Sequence, residues 1–86
     1  MYVCHTDAGH GWLAVKRKEL ERLGILDKIS KCSHQRGKTV YLEEDSDASL
    51  FIETKEAKGE KIEKKDMRES YHDYSPIRGY ESFSPQ

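Results

Sequence analysis

Apolar residues in this chain fall in short runs parted by turn formers, and the spacing inside each run decides what it predicts. Tyr2–His5 and Trp12–Val15 are brief β-prone runs. Between them, Thr6-Asp7-Ala8-Gly9-His10-Gly11 sets two glycines around a histidine, a composition that turns the chain between strands. Lys16–Leu23 has helical composition: Leu20 and Leu23 share a face, Lys18, Glu19, Glu21 and Arg22 supply the other, and Gly24 stands where a helix stops. A helix this short depends on packing, and Ile25, Leu26 and Ile29 extend the apolar content beyond it.

Lys31–His34 and Thr39–Leu42 flank Gln35-Arg36-Gly37-Lys38, a glycine-containing loop of hairpin length. The acidic run that follows offers Asp45 or Asp47 as the N-cap of a second helix over Ala48–Lys58. In it Ala48, Phe51, Ile52 and Lys55 line one face, and Gly59 ends it. Lys61–Arg68 reads as a polar edge strand whose charges discourage pairing with other chains. The order ββ-α-ββ-α-β predicts an α+β domain, with a mostly antiparallel sheet of about five strands and two short helices on one face.

Residues 71–86 break the pattern. Tyr71, Tyr74, Ile77, Tyr80 and Phe83 recur at every third position, a period that fits an extended polyproline-like chain and neither helix nor strand. The expected organisation is therefore a domain over residues 1–70 and an extended aromatic-striped tail over 71–86, packed on that domain or on a partner.

Composition sharpens this. Only 35% of the 86 residues are apolar and 36% are charged, so the core must be thin and every buried apolar group counts. Net charge is −1, yet residues 1–42 carry eight Lys/Arg against four Asp/Glu and residues 43–86 seven against twelve. That asymmetry can orient a partner. Two cysteines, Cys4 and Cys32, with neither a signal peptide nor a membrane-spanning run, point to a cytoplasmic protein with free thiols.

No nucleophile elbow, phosphate loop or paired-carboxylate motif is present, so an enzyme is not expected, and no cofactor is. His5, Asp7 and His10 form the metal alternative, since His5 and Asp7 share a side of an extended chain and His10 can swing in from the turn; His72 and Asp73 could arrive from the tail. Lys16, Arg17, Lys18 and Arg22, with Arg36 and Lys38 of the next hairpin, form the nucleic-acid alternative: a basic face suited to phosphates, in a chain whose pI of about 6.4 is low for such modules. His10, Trp12, Arg78 and Tyr80 are the candidates for a protein-binding site, formed by the turn around His10–Trp12 and the tail, with Trp, Tyr and Arg the residue types that dominate interface hot spots.

Thr6-Asp7-Ala8-Gly9-His10-Gly11-Trp12, Tyr41-Leu42-Glu43-Glu44-Asp45-Ser46-Asp47 leading into Leu50-Phe51, and Ser75-Pro76-Ile77-Arg78 together resemble a group of short, uncharacterised proteins of phages, prophages and proteobacterial genomes. The resemblance spans residues 6 to about 83. It implies a compact accessory protein that binds and modulates a host protein, such as a component of a defence system; the lack of a membrane-spanning run leaves no membrane partner expected. Self-association is the expectation for a particle component.

Overall fold

The computed structural model describes residues 1–85 and shows one α+β domain. Strands β1 (Tyr2–Thr6), β2 (Gly11–Lys16), β3 (His34–Arg36), β4 (Thr39–Glu43), β5 (Met67–Tyr71) and β6 (Glu81–Ser82) form a single sheet in the order β5-β1-β2-β4-β3-β6. All neighbours are antiparallel except β1 and β5. Helices α1 (Arg17–Leu23) and α2 (Asp47–Ala57) cover one face.

Alternation builds the core. Leu13 and Val15 on β2 and Val40 and Leu42 on β4 point to the same side, where they meet Leu20 and Leu23 of α1, Ala48 and Phe51 of α2, and Ile25 and Ile29 of the connection. Both helices stop on a glycine in the left-handed region, Gly24 at φ 74° and Gly59 at φ 79°, where a Cβ would be strained. In each case the next residue's N–H reaches back to the helix, Ile25 to the Leu20 carbonyl and Glu60 to that of Lys55. At the rim of this core, Lys55 is buried yet paired, donating to Glu19 Oε2 at 2.6 Å and to the Tyr2 hydroxyl at 3.0 Å.

The sheet has six strands rather than about five. The extra one is β6, two residues from the tail, held by the pairings His34↔Ser82 and Gln35↔Glu81. Nor is the tail one extended stripe. Tyr71 belongs to β5, Pro76–Gly79 forms a 3-10 turn capped by the Ser75 hydroxyl, and only then does β6 follow. Ile77 and Phe83 are buried, whereas Tyr71 and Tyr74 are exposed.

Three boundaries differ from the sequence pattern for a common reason: polar side chains fold the backbone where composition alone reads strand or cap. Asp47 does not cap α2. It is the first helical residue after Ser46, and its Oδ2 accepts from the Ser30 N–H at 3.0 Å, the Ser30 hydroxyl at 2.7 Å and the Ser33 hydroxyl at 2.5 Å. That network curls Lys31–Ser33 into a turn and delays β3 to His34. Likewise, a reciprocal pair of bonds between Glu63 and Asp66 closes a 3-10 turn at Lys64–Asp66, so β5 begins at Met67 and not near Lys61.

Candidate functional site

The face without helices carries the chemistry. Register places Val3 and His5 of β1, Trp12, Ala14 and Lys16 of β2, Thr39 and Tyr41 of β4, His34 and Arg36 of β3 and Arg68 of β5 on the side opposite Leu13, Val15, Val40 and Leu42. Rings run across it in steps. The Arg36 guanidinium lies 5.0 Å from the Tyr80 ring centre, Tyr80 is 5.2 Å from Tyr41, Tyr41 is 5.9 Å from His5, and His5 stacks on His72 at 5.7 Å. Tyr80 is fixed at both ends: its carbonyl meets His34 Nδ1 at 3.1 Å and its hydroxyl accepts from Arg36 at 3.1 Å. None of these groups is fully buried. Burial, then the neighbouring His72 and Arg68, lowers the His5 pKa and favours its neutral form.

A second feature sits where the β1–β2 turn meets the tail. Asp7 is its hub. One oxygen accepts from the Gly9 and His10 N–H groups, the other from the Ser75 N–H, and Arg78 binds both, through Nε at 2.7 Å and Nη2 at 2.9 Å. Arg78 also lies over the Trp12 and Tyr74 rings. Beside them His10, Cys32, His34 and Glu43 complete a groove of about 600 Å³. Trp12 forms its floor at 3% exposure, and its indole N–H is buried without a partner among the described residues, while Tyr74 stands at 75% exposure.

Of the residues singled out for protein binding, His10, Trp12 and Arg78 therefore come together, and Tyr80 lies apart with Tyr41 and Arg36. Trp12 and Arg78 mainly tie the tail down: one is covered and the other is bound to Asp7. The metal alternative does not assemble. His5 stacks on His72, Asp7 is taken up by Arg78 and backbone N–H groups, and His10 packs on Trp12, so that among the described residues no three His, Cys, Asp or Glu side chains are placed to hold an ion. Of the basic set, Lys16, Arg17, Lys18, Arg36 and Lys38 gather around the Gly37 turn at one end of the sheet. Arg22 lines the same groove as Lys16, Lys18 and Lys38, where its charge is taken up by Glu60 at 2.9 Å. Tyr41 and Arg68 escaped the sequence reading as site residues, and His5 and His72 entered it only as metal candidates. Strand alternation places His5 and Tyr41 opposite the core, but Arg68 was hidden by the misplaced start of β5.

Asp7 sets an acid limit on the fold. The Arg78 hydrogen bonds, opposed by burial and reinforced by the Gly9, Ser75 and His10 N–H groups, hold its carboxyl well below the usual carboxylate range. A group depressed on folding contributes stability that is complete above its unfolded pKa of about 4 and disappears as pH falls through the folded value. Asp7→Asn should thus melt lower at pH 7 and show a flatter decline below about pH 4 than the parent. Thermal melts from pH 7 downward test this; parallel curves would assign the acid limb to other carboxylates.

Comparison with protein-family models, curated proteins and solved structures finds no match. Among the described residues no helix is long and apolar enough to cross a membrane.

Proposed function

We propose that this chain is a non-enzymatic binding module of the phage accessory type, acting on a host macromolecule in the cytoplasm through the helix-free face of its sheet. The observation that carries this reading is the continuous row Arg36–Tyr80–Tyr41–His5–His72, built from separate segments of the chain and covered by neither α1 nor α2. A fold of this size with a thin core gains most by burying such rings. Leaving them half open on a rigid sheet is what recognition surfaces do. The three quoted motifs, through their resemblance to short phage and prophage proteins, supply the setting.

Host-protein binding at the Asp7–Arg78 groove is the second reading, favoured by one observation: Tyr74 projects from its rim at 75% exposure over a guanidinium already fixed in place. Capture from host lysate separates the two. Immobilised parent, Tyr41→Ala/Tyr80→Ala and Tyr74→Ala proteins, each first shown to unfold cooperatively, are compared for bound protein and bound nucleic acid. Loss of capture only in the double variant supports the sheet face, and loss only in Tyr74→Ala moves the site to the groove. Capture unaffected by either overturns both.

A further inference from the structure

We infer that the occupant of the helix-free face is a single-stranded nucleic acid, with bases stacked on Tyr80, Tyr41 and His5 and phosphates held by Lys16, Arg36 and Arg68. This rests on the binding-module reading above and names its partner. Charge is the first argument. The chain as a whole is at −1, but its charges are segregated. Arg22 and Lys55 pair with Glu19 and Glu60 on the helix side and Lys65 pairs with Glu63, while the Arg78–Asp7 pair closes the Trp12 end of the open face. Among the described residues Lys16, Arg36 and Arg68 make no ion pair, and register puts all three on the open face, where Glu43 at the far end of β4 is the carboxylate among the strand residues. Arg68 stands opposite Val3, two positions from His5 on the same side of β1, and Arg36 lies on the Tyr80 ring, so these two cations flank the row.

Ring geometry is the second argument. Tyr80, Tyr41 and His5 step across the sheet from the β3 side toward β1 at 5.2 and 5.9 Å, tilted 55° and 64° to one another, so each ring offers a separate stacking surface and not one flat platform. Every base has a π-face, and stacking on aromatic side chains beside a basic track is how single strands are held without sequence preference. A duplex hides those faces, so it would meet only the cations. Arg36 joins both functions, since it lies on the Tyr80 ring and bonds its hydroxyl while its charge stays unpaired among the described residues. Lys38, which lines a groove with Lys16 beside the Gly37 turn, continues the basic track past the end of β2.

The test is fluorescence anisotropy with labelled 15-nucleotide mixed-sequence DNA and RNA single strands, and the matching duplex, at low and moderate salt. Single strands should bind more tightly than the duplex. Tyr41→Ala and Tyr80→Ala should each weaken binding about 5- to 150-fold, the range seen for loss of one stacking platform. Tyr41→Phe should retain binding, which separates stacking from a fold defect. Replacing Lys16, Arg36 and Arg68 together by Ala should reduce the slope of log affinity against log salt by about 2, at roughly 0.7 per phosphate. Equal affinity for duplex and single strand, binding indifferent to the tyrosines, or no binding at low salt would overturn the inference. Should the lysate experiment then yield a nuclease-resistant protein lost in Tyr41→Ala/Tyr80→Ala, the module reading survives and only its nucleic-acid partner falls.

Discussion

Removing everything after Ser70 should abolish cooperative unfolding. The tail supplies Phe83 and Ile77, exposed to only 3% and 2%, and with them three of the five hydrogen bonds to the Asp7 carboxylate. Phe83 packs into the helix-covered core under the Arg17 guanidinium, and its N–H bonds the Ser33 carbonyl at 2.9 Å. Deleting one buried Phe typically costs about 3–5 kcal/mol. Deleting Ile77 and β6 as well, and leaving the Asp7 carboxylate without Arg78, brings the loss to the scale of the whole stability of a small domain, about 5–15 kcal/mol. Near-UV circular dichroism and urea titration at 25 °C decide the matter. A truncated protein with the parent's midpoint would show that the tail only rests on a self-sufficient body, and a lost transition places Phe83 and Ile77 in the folding unit.

The sequence pattern is legible wherever a local rule and the tertiary structure ask for the same thing. Gly24 and Gly59 stop helices because no other residue fits the left-handed turn as cheaply, and Leu13, Val15, Val40 and Leu42 alternate because a half-buried strand must. Asp47 shows the opposite case. An aspartate before an apolar helical run is the ordinary sign of a cap, yet here the carboxylate turns to Ser30 and Ser33, partners 17 and 14 positions away that no local rule can select. β6 is invisible for a related reason, since two residues hold no periodicity and exist as a strand only through β3. The site follows the same division. His10, Trp12 and Arg78 meet because the turn and the Ser-Pro segment are held by Asp7, whereas the row through Tyr80, Tyr41 and His5 needs the strand order itself. A period of three predicted one extended tail stripe, which the 3-10 turn at Pro76–Gly79 breaks. It grouped Ile77 and Phe83, which are buried, with Tyr71 and Tyr74, which are not.

Phe51→Ala should be the most destabilising single substitution in the helix-covered core, by about 3–5 kcal/mol. Phe51 has no exposed surface, sits centrally on α2, and meets Tyr2 edge-on at 5.6 Å beneath the Lys55 ammonium. Its loss leaves a cavity where α2 meets the sheet, and it also removes the surface on which the Lys55–Glu19–Tyr2 network rests. Urea midpoints measured against Phe51→Leu, which should recover most of the stability, test this; equal midpoints for Phe51→Ala and the parent would place the core elsewhere. The contrast with Tyr41 then carries weight for function. Tyr41 is on the same sheet but on its open side, so truncating it removes a ring that is only partly buried and should cost less than the Phe51 value. Phe51→Ala should accordingly reduce ligand binding only in proportion to the folded fraction, whereas Tyr41→Ala should reduce it in a protein that remains folded. If both variants lost binding only as they lost structure, the rings of the open face would be packing groups and the recognition surface would have to be sought at Tyr74.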